Sequence, residues 1–181
     1  MNKHLKLVRE LHDAFSFPQA RHGANTHLSD MGIIMRQALL MEAGGKVLKA
    51  LKAGDMVEIL AELTDLSYYA VGAIAMQGAD IIDQPISWRH DGFVLSVMSI
   101  LSDKINNCTS GSADSYSEVY CLWAHLAKGF INADFDKAFQ VVHNYNMFRL
   151  SEIGKPINVD TGELQKSEAF TEPDLSDCLY E

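Results

Sequence analysis

One segment constrains this chain more than any other: MVEILAELTDLSYYAVGAIAMQ, from Met56 to Gln77. Its apolar residues cover most of a helical circumference, which marks a helix enclosed by others. Yet Glu58, Glu62 and Asp65 recur at i, i+4 and i+7, so three carboxylates share one stripe of it. Like charges at that spacing cost an isolated helix about 0.2–0.5 kcal/mol, and burying an unpaired carboxylate costs far more. The stripe must therefore face water or face a cation. The surrounding charge sharpens the point. Residues 53–88 hold six acids and no Lys or Arg, and the last fifteen residues hold five more acids and no base. Together these stretches outweigh the whole net charge of −9, leaving the rest of the chain slightly basic.

The preceding segment, residues 30–53, also has helical apolar spacing, with Ser29 or Asp30 as a polar cap. Gly54-Asp55 then supplies a helix stop followed at once by a new cap, so 30–53 and 56–77 should pair antiparallel. Glu42 and Asp65 are nearly equidistant from that turn, and so fall at one level of the pair. Residues 1–15 form an amphipathic helix stopped before Pro18. Helical spacing resumes over 92–105, 115–130 and 134–147, and no strand-like alternation of useful length occurs. The expectation is an all-α bundle of about six helices. It comprises one domain over 1–150, with 86–135 as a helical connection, and an irregular C-terminal extension over 151–181 laid on the body.

Several function classes lose support at this stage. A chain of −9 is a poor generic nucleic-acid binder. No uninterrupted apolar stretch approaches the ~20 residues that span a bilayer. Three cysteines without a CxxC favour a reducing cytoplasm. HExxH and GxxxxGK[ST] are absent from the sequence, which removes the commonest zinc-hydrolase and P-loop signatures. The methionines Met31, Met35, Met41, Met56 and Met76 read as helical core filler. Trp88, Arg89, His90 and Asp91, in SWRHDG, form a compact polar cluster before a helix. They suit a cap or an interface, with a ligand contact as the alternative.

The stretch from Arg36 to Ile81 resembles the helical core of the MazG-like, all-α nucleoside triphosphate pyrophosphohydrolases. That family carries an EExxE box on one helix and an ExxD box on the next. Glu62-Leu63-Thr64-Asp65 matches the second box and its continuation to Asp80. LHDAFSFP resembles the family's start. VHNYNMFRLSEIGKPINVDTGELQKSEAFTEPDL, from Val142 to Leu175, resembles its tail. The resemblance implies Mg²⁺, with Mn²⁺ as the alternative, held by Glu62 and Asp65 with Glu58 one turn earlier. It implies Glu42 as the group that activates water, and Asn146, Arg149, Lys155, Lys166 and Lys46 as groups that meet phosphates. The implied protein is a cytoplasmic homodimer or higher homo-oligomer that cleaves nucleoside triphosphates to monophosphate and pyrophosphate, without nucleic-acid or membrane partners. The sequence departs from the pattern in the first box, which reads Glu42-Ala43-Gly44-Gly45-Lys46. Two metal-ligand positions are lost there, so a non-catalytic relative that binds nucleotide or scaffolds a dimer is the competing expectation.

Overall fold

The computed structural model describes residues 1–153 and 171–180. Its secondary structure begins from the caps that the sequence encodes. Helix α1 (Lys3–Phe15) starts on Asn2, whose side chain accepts from the His4 and Leu5 amides. Helix α2 (Asp30–Ala53) starts on Ser29 and ends at Gly54, whose φ of +75° is readily adopted only without a Cβ. Helix α3 (Met56–Gln77) starts one residue later, with the Asp55 carboxylate accepting from the Val57 and Glu58 amides. The expected hairpin is present with its expected bounds.

Helix α3 is the axle of the bundle: α1, α2, α5 and α6 all pack against it. By length and composition alone it would be long and apolar enough to cross a membrane, although Glu58, Glu62 and Asp65 interrupt its apolar run. Its burial has a different origin, since 72% of its most apolar window is covered by the other helices. The chain between α1 and α2 clasps its far end. Ala20, Gly23 and Thr26 donate their amides to the carbonyls of Met76, Gly78 and Gln77, which α3 leaves unsatisfied there. Arg9 adds bonds to the Ala75 and Ala20 carbonyls.

From Asp80 the chain runs as an extended strap beside α5, with Ile82 donating to Ser117 and Gln84 donating to Cys121. Gln84, Ile86, Trp88 and His90 are half-buried while the residues between them are exposed, the alternation of an extended chain on a surface. Helix α4 (Val94–Asn107) starts two residues later than its apolar spacing suggests, because Asp91 accepts from the Phe93 amide and the Ser96 hydroxyl. Helix α5 (Ala113–Leu126) begins on a Ser112 cap and continues into a π-helical turn, Ala127–Ile131. Helix α6 (Phe135–Ile153) outruns its expected end at residue 147 by six residues. The described end of the tail lies against α6: Leu175 and Cys178 are buried, and Asp134 donates to the Cys178 carbonyl. No strand occurs among the described residues beyond one isolated bridge, Ala133 to Leu179.

The methionines overturn their expected role. Met31, Met41 and Met56 are exposed, together with Ile34. Helix α2 is apolar on both sides, so periodicity alone does not say which side turns inward; Leu40, Ala43, Val47 and Ala50 do.

Two buried histidines lock α1. His4 stacks on Phe139 and contacts Tyr120, Trp123 and Phe135. Its Nε2 lies 3.3 Å from Asp136 and its Nδ1 2.8 Å from the Tyr120 hydroxyl. A carboxylate only accepts, so the neutral ring carries its proton on Nε2 and Nδ1 accepts from Tyr120. His12 donates through Nδ1 to the Pro18 carbonyl. Burial pushes both rings from 6.5 down to about 4. Unfolded histidine binds protons below about pH 6.5, whereas these native rings do not until about 4. The stability they contribute is complete above pH 6.5 and falls as pH drops through that window. Nitrogen NMR at about pH 5.5 should show both rings neutral, with the urea midpoint already lower than at pH 7. Protonated rings in a fully folded chain at that pH would contradict this account.

Candidate functional site

The acidic stripe of α3 enters the protein along a gradient. Glu58 is exposed in the first turn, where the helix dipole favours it. Glu62 and Asp65 are half-buried, and Tyr68, three residues further, is buried. The stripe therefore runs from solvent toward the core, and α6 meets it at the inner end. The Tyr68 ring stacks on Phe139, and its hydroxyl lies 2.9 Å from His143 Nδ1. Asn146 also bonds that hydroxyl. Burial, followed by the negative charges of Asp65 and Glu10, pushes the Tyr68 hydroxyl well above the ordinary tyrosine range, so it stays protonated. Burial likewise holds His143 below its ordinary value, with Glu10 opposing. Tyr68, His143 and Asn146 thus link the two helices.

Arg149 lies one turn beyond Asn146, also buried, with its guanidinium 5.7 Å from the Tyr145 ring centre. No ion pair holds it among the described residues. Lys155 and Lys166 lie outside the described residues; of the expected phosphate groups, Asn146 meets α3 through Tyr68, while Arg149 is buried one turn further along α6.

The first box is built differently. Glu42 is 61% exposed and pairs with Lys46 at 3.2 Å, one turn along α2. Such pairs contribute only about 0.3–0.5 kcal/mol, so an incoming cation or anion displaces them readily. Ala43 is buried among the core side chains, so it faces away from Glu42. Among the described residues, no three acidic, His or Cys side chains converge to hold a metal. The donors present are therefore two half-buried carboxylates, Glu62 and Asp65, one turn apart on α3. That set fits one hard cation sharing its shell with water and phosphate oxygens; it does not fit a cage of protein ligands.

Two buried groups here were not singled out from the sequence. Tyr68 ties the stripe to α6. Arg36, 3% exposed, donates through Nε and Nη2 to the Met76 sulfur at 3.2 and 2.9 Å. Gly72 makes room for it, since a Cβ there would lie 3.3 Å from Arg36 Nη1. A thioether is a weak acceptor, and burial lowers the guanidinium to about 10. An arginine inside an apolar helical pattern was the available signal.

Residues 8–84 match the family model described as phosphoribosyl-ATP pyrophosphohydrolase. The matched span includes Glu42, Lys46, Glu58, Glu62 and Asp65, and ends before α4. That family points to a hydrolase of the pyrophosphohydrolase type. No curated protein and no solved structure matches the chain.

Replacing Lys46 with Glu exchanges the cation beside Glu42 for another carboxylate. Calorimetric titration should show K46E binding Mg²⁺ several-fold more tightly than the unmodified protein, by the Coulomb gain of two charge units near the site. Equal or weaker binding would show that Lys46 lies outside the reach of any cation on α3.

Proposed function

Residues 8–84 belong to the MazG-like all-α pyrophosphohydrolase superfamily, and on that premise we propose that the protein is a Mg²⁺-dependent nucleoside triphosphate pyrophosphohydrolase. The reaction splits the α–β phosphoanhydride of a ribo- or deoxyribonucleoside triphosphate with water, giving the monophosphate and pyrophosphate. The observation that carries this reading is the half-buried Glu62–Asp65 pair at the mouth of a polar path into the core.

Glu62 and Asp65 would hold the metal, with Glu58 nearer solvent as an outer ligand; Mn²⁺ suits the same oxygen donors. A divalent cation held there would supply positive charge against the triphosphate oxygens and ease departure of pyrophosphate. The chain's own groups do the rest. Glu42, once released from Lys46, accepts the proton of the attacking water. Lys46, freed by the same exchange, meets phosphate oxygens. Arg149 offers a planar fork for phosphate and Asn146 both a donor and an acceptor. Lys155 and Lys166 would add charge from the tail. Tyr68, kept protonated, and His143 hold Asn146 in place.

A second copy of the chain fits the exposed apolar side of α2, where Met31, Ile34 and Met41 lie in water. We therefore read the working form as a homodimer or higher homo-oligomer. Three free cysteines suit the cytoplasm, and the acidic charge disfavours nucleic acid. Neither a nucleic-acid nor a membrane partner enters this reading.

The Glu42–Lys46 pair and the inward Ala43 favour one competing reading, a relative that binds nucleotide without turning it over. Purified protein with Mg²⁺ and a panel of ribo- and deoxyribonucleoside triphosphates separates the two. Pyrophosphate release, abolished in Asp65→Ala, is the expected result. Nucleotide binding without pyrophosphate release would replace the enzyme with the binder.

A further inference from the structure

Among the described residues two clusters of aromatic rings stand out, and they differ in kind. The first, around His4, is sealed: Tyr120, Trp123, Phe135 and Phe139 are buried, and both imidazole nitrogens of His4 are partnered. That cluster is core. The second lies where the strap ends against the π-helical turn, and it is open. Trp88, His90, His125 and Phe130 are each half-buried around a cleft of about 230 Å³. Their rings meet edge-on or tilted: Trp88 to His90 at 6.0 Å, Trp88 to His125 at 6.2 Å, and His90 to Phe130 at 4.8 Å. Four rings meeting at angles leave ring surface facing the cleft instead of closing it.

Three further features point to a ligand. His90 Nδ1 is buried and bonds to no described group, a cost that a bound partner would remove. Gly129, in the π turn, leaves one wall open, with nothing within 4 Å of where a Cβ would stand. Arg89, alternating outward on the strap, puts a cation at the rim. π turns inserted at the end of a helix recur at functional sites. The cleft is smaller than the ~300–1,000 Å³ of drug-sized sites. It takes one planar ring system and excludes anything larger than a mononucleotide.

We propose that this cleft binds the base of a nucleoside monophosphate. The base stacks on Trp88 and Phe130 beside the His90 ring, and its phosphate meets Arg89 at the rim. The site belongs to α5, the strap and the π turn, beyond the family-matched residues 8–84. It does not rest on the pyrophosphohydrolase reading of α3.

Calorimetric titration of the full chain, with chelator present to silence any metal-dependent site, tests this with adenosine and uridine 5′-monophosphates. Ribose 5-phosphate is the ringless control. Saturable binding of a nucleotide but not of the control is expected. Trp88→Ala and Phe130→Ala should weaken it about tenfold or more, as loss of base stacking does. Arg89→Ala, an exposed change that leaves the fold intact, should weaken the nucleotide more than the free nucleoside. Asp65→Asn should leave the affinity as it was. Binding lost in Asp65→Asn and retained in Trp88→Ala would assign the nucleotide to α3 and overturn the proposal. Equal binding of ribose 5-phosphate, or no nucleotide binding at all, would overturn it too.

Discussion

Everything in this fold is arranged around the desolvation of one helix. α3 is covered by four others, yet it carries acids along its first half. A carboxylate taken wholly out of water without a partner costs several kcal/mol or more. The structure meets that cost by grading it: Glu58 stays in solvent, Glu62 and Asp65 are half-buried, and the neutral Tyr68 hydroxyl takes over where burial is complete. At the opposite end the charge reverses. Arg9 donates to the Ala75 carbonyl and Arg36 lies beside Gly72 and Met76. Acids at the positive end of the helix dipole and cations at its negative end both lower the electrostatic energy. The helix is thus polarised along its length, and the proposed chemistry sits at its acidic, solvent-facing end.

The hairpin at the centre was legible because its determinants are local. Ser29, Gly54 and Asp55 act within a few residues of themselves, and the helix bounds follow from them. What depended on distant partners was not legible. The inward side of α2 could not be chosen while both sides were apolar, so Met31 and Met41 were misplaced. The start of α5 was hidden in a Ser-rich stretch that reads as loop, and nothing in AKGFI announces a π turn. The candidate site divides the same way. Glu42 and Lys46, four apart on one helix, could have been paired from spacing alone. The Tyr68–His143 bond joins residues 75 apart and needed the fold.

The two ring clusters show how burial separates support from function. His4 and His90 are both histidines among aromatic rings near α5. One has both nitrogens satisfied and titrates at about 4, as a core group does. The other has a buried, unpartnered nitrogen and a ring that lines an open cleft. The sequence cluster SWRHDG accordingly does two things: Asp91 accepts from the Phe93 amide and the Ser96 hydroxyl at the start of α4, while Trp88 and His90 line the cleft.

The central claim is that Glu62 and Asp65 hold a cation only together with a polyphosphate. Mg²⁺ titrated calorimetrically with and without an α,β-methylene nucleoside triphosphate, which cannot be cleaved at that bond, tests it directly. The account predicts weak binding of Mg²⁺ alone, much tighter binding once the analogue is present, and loss of that coupling in Asp65→Asn. Analogue binding of equal strength with and without Mg²⁺ would contradict it.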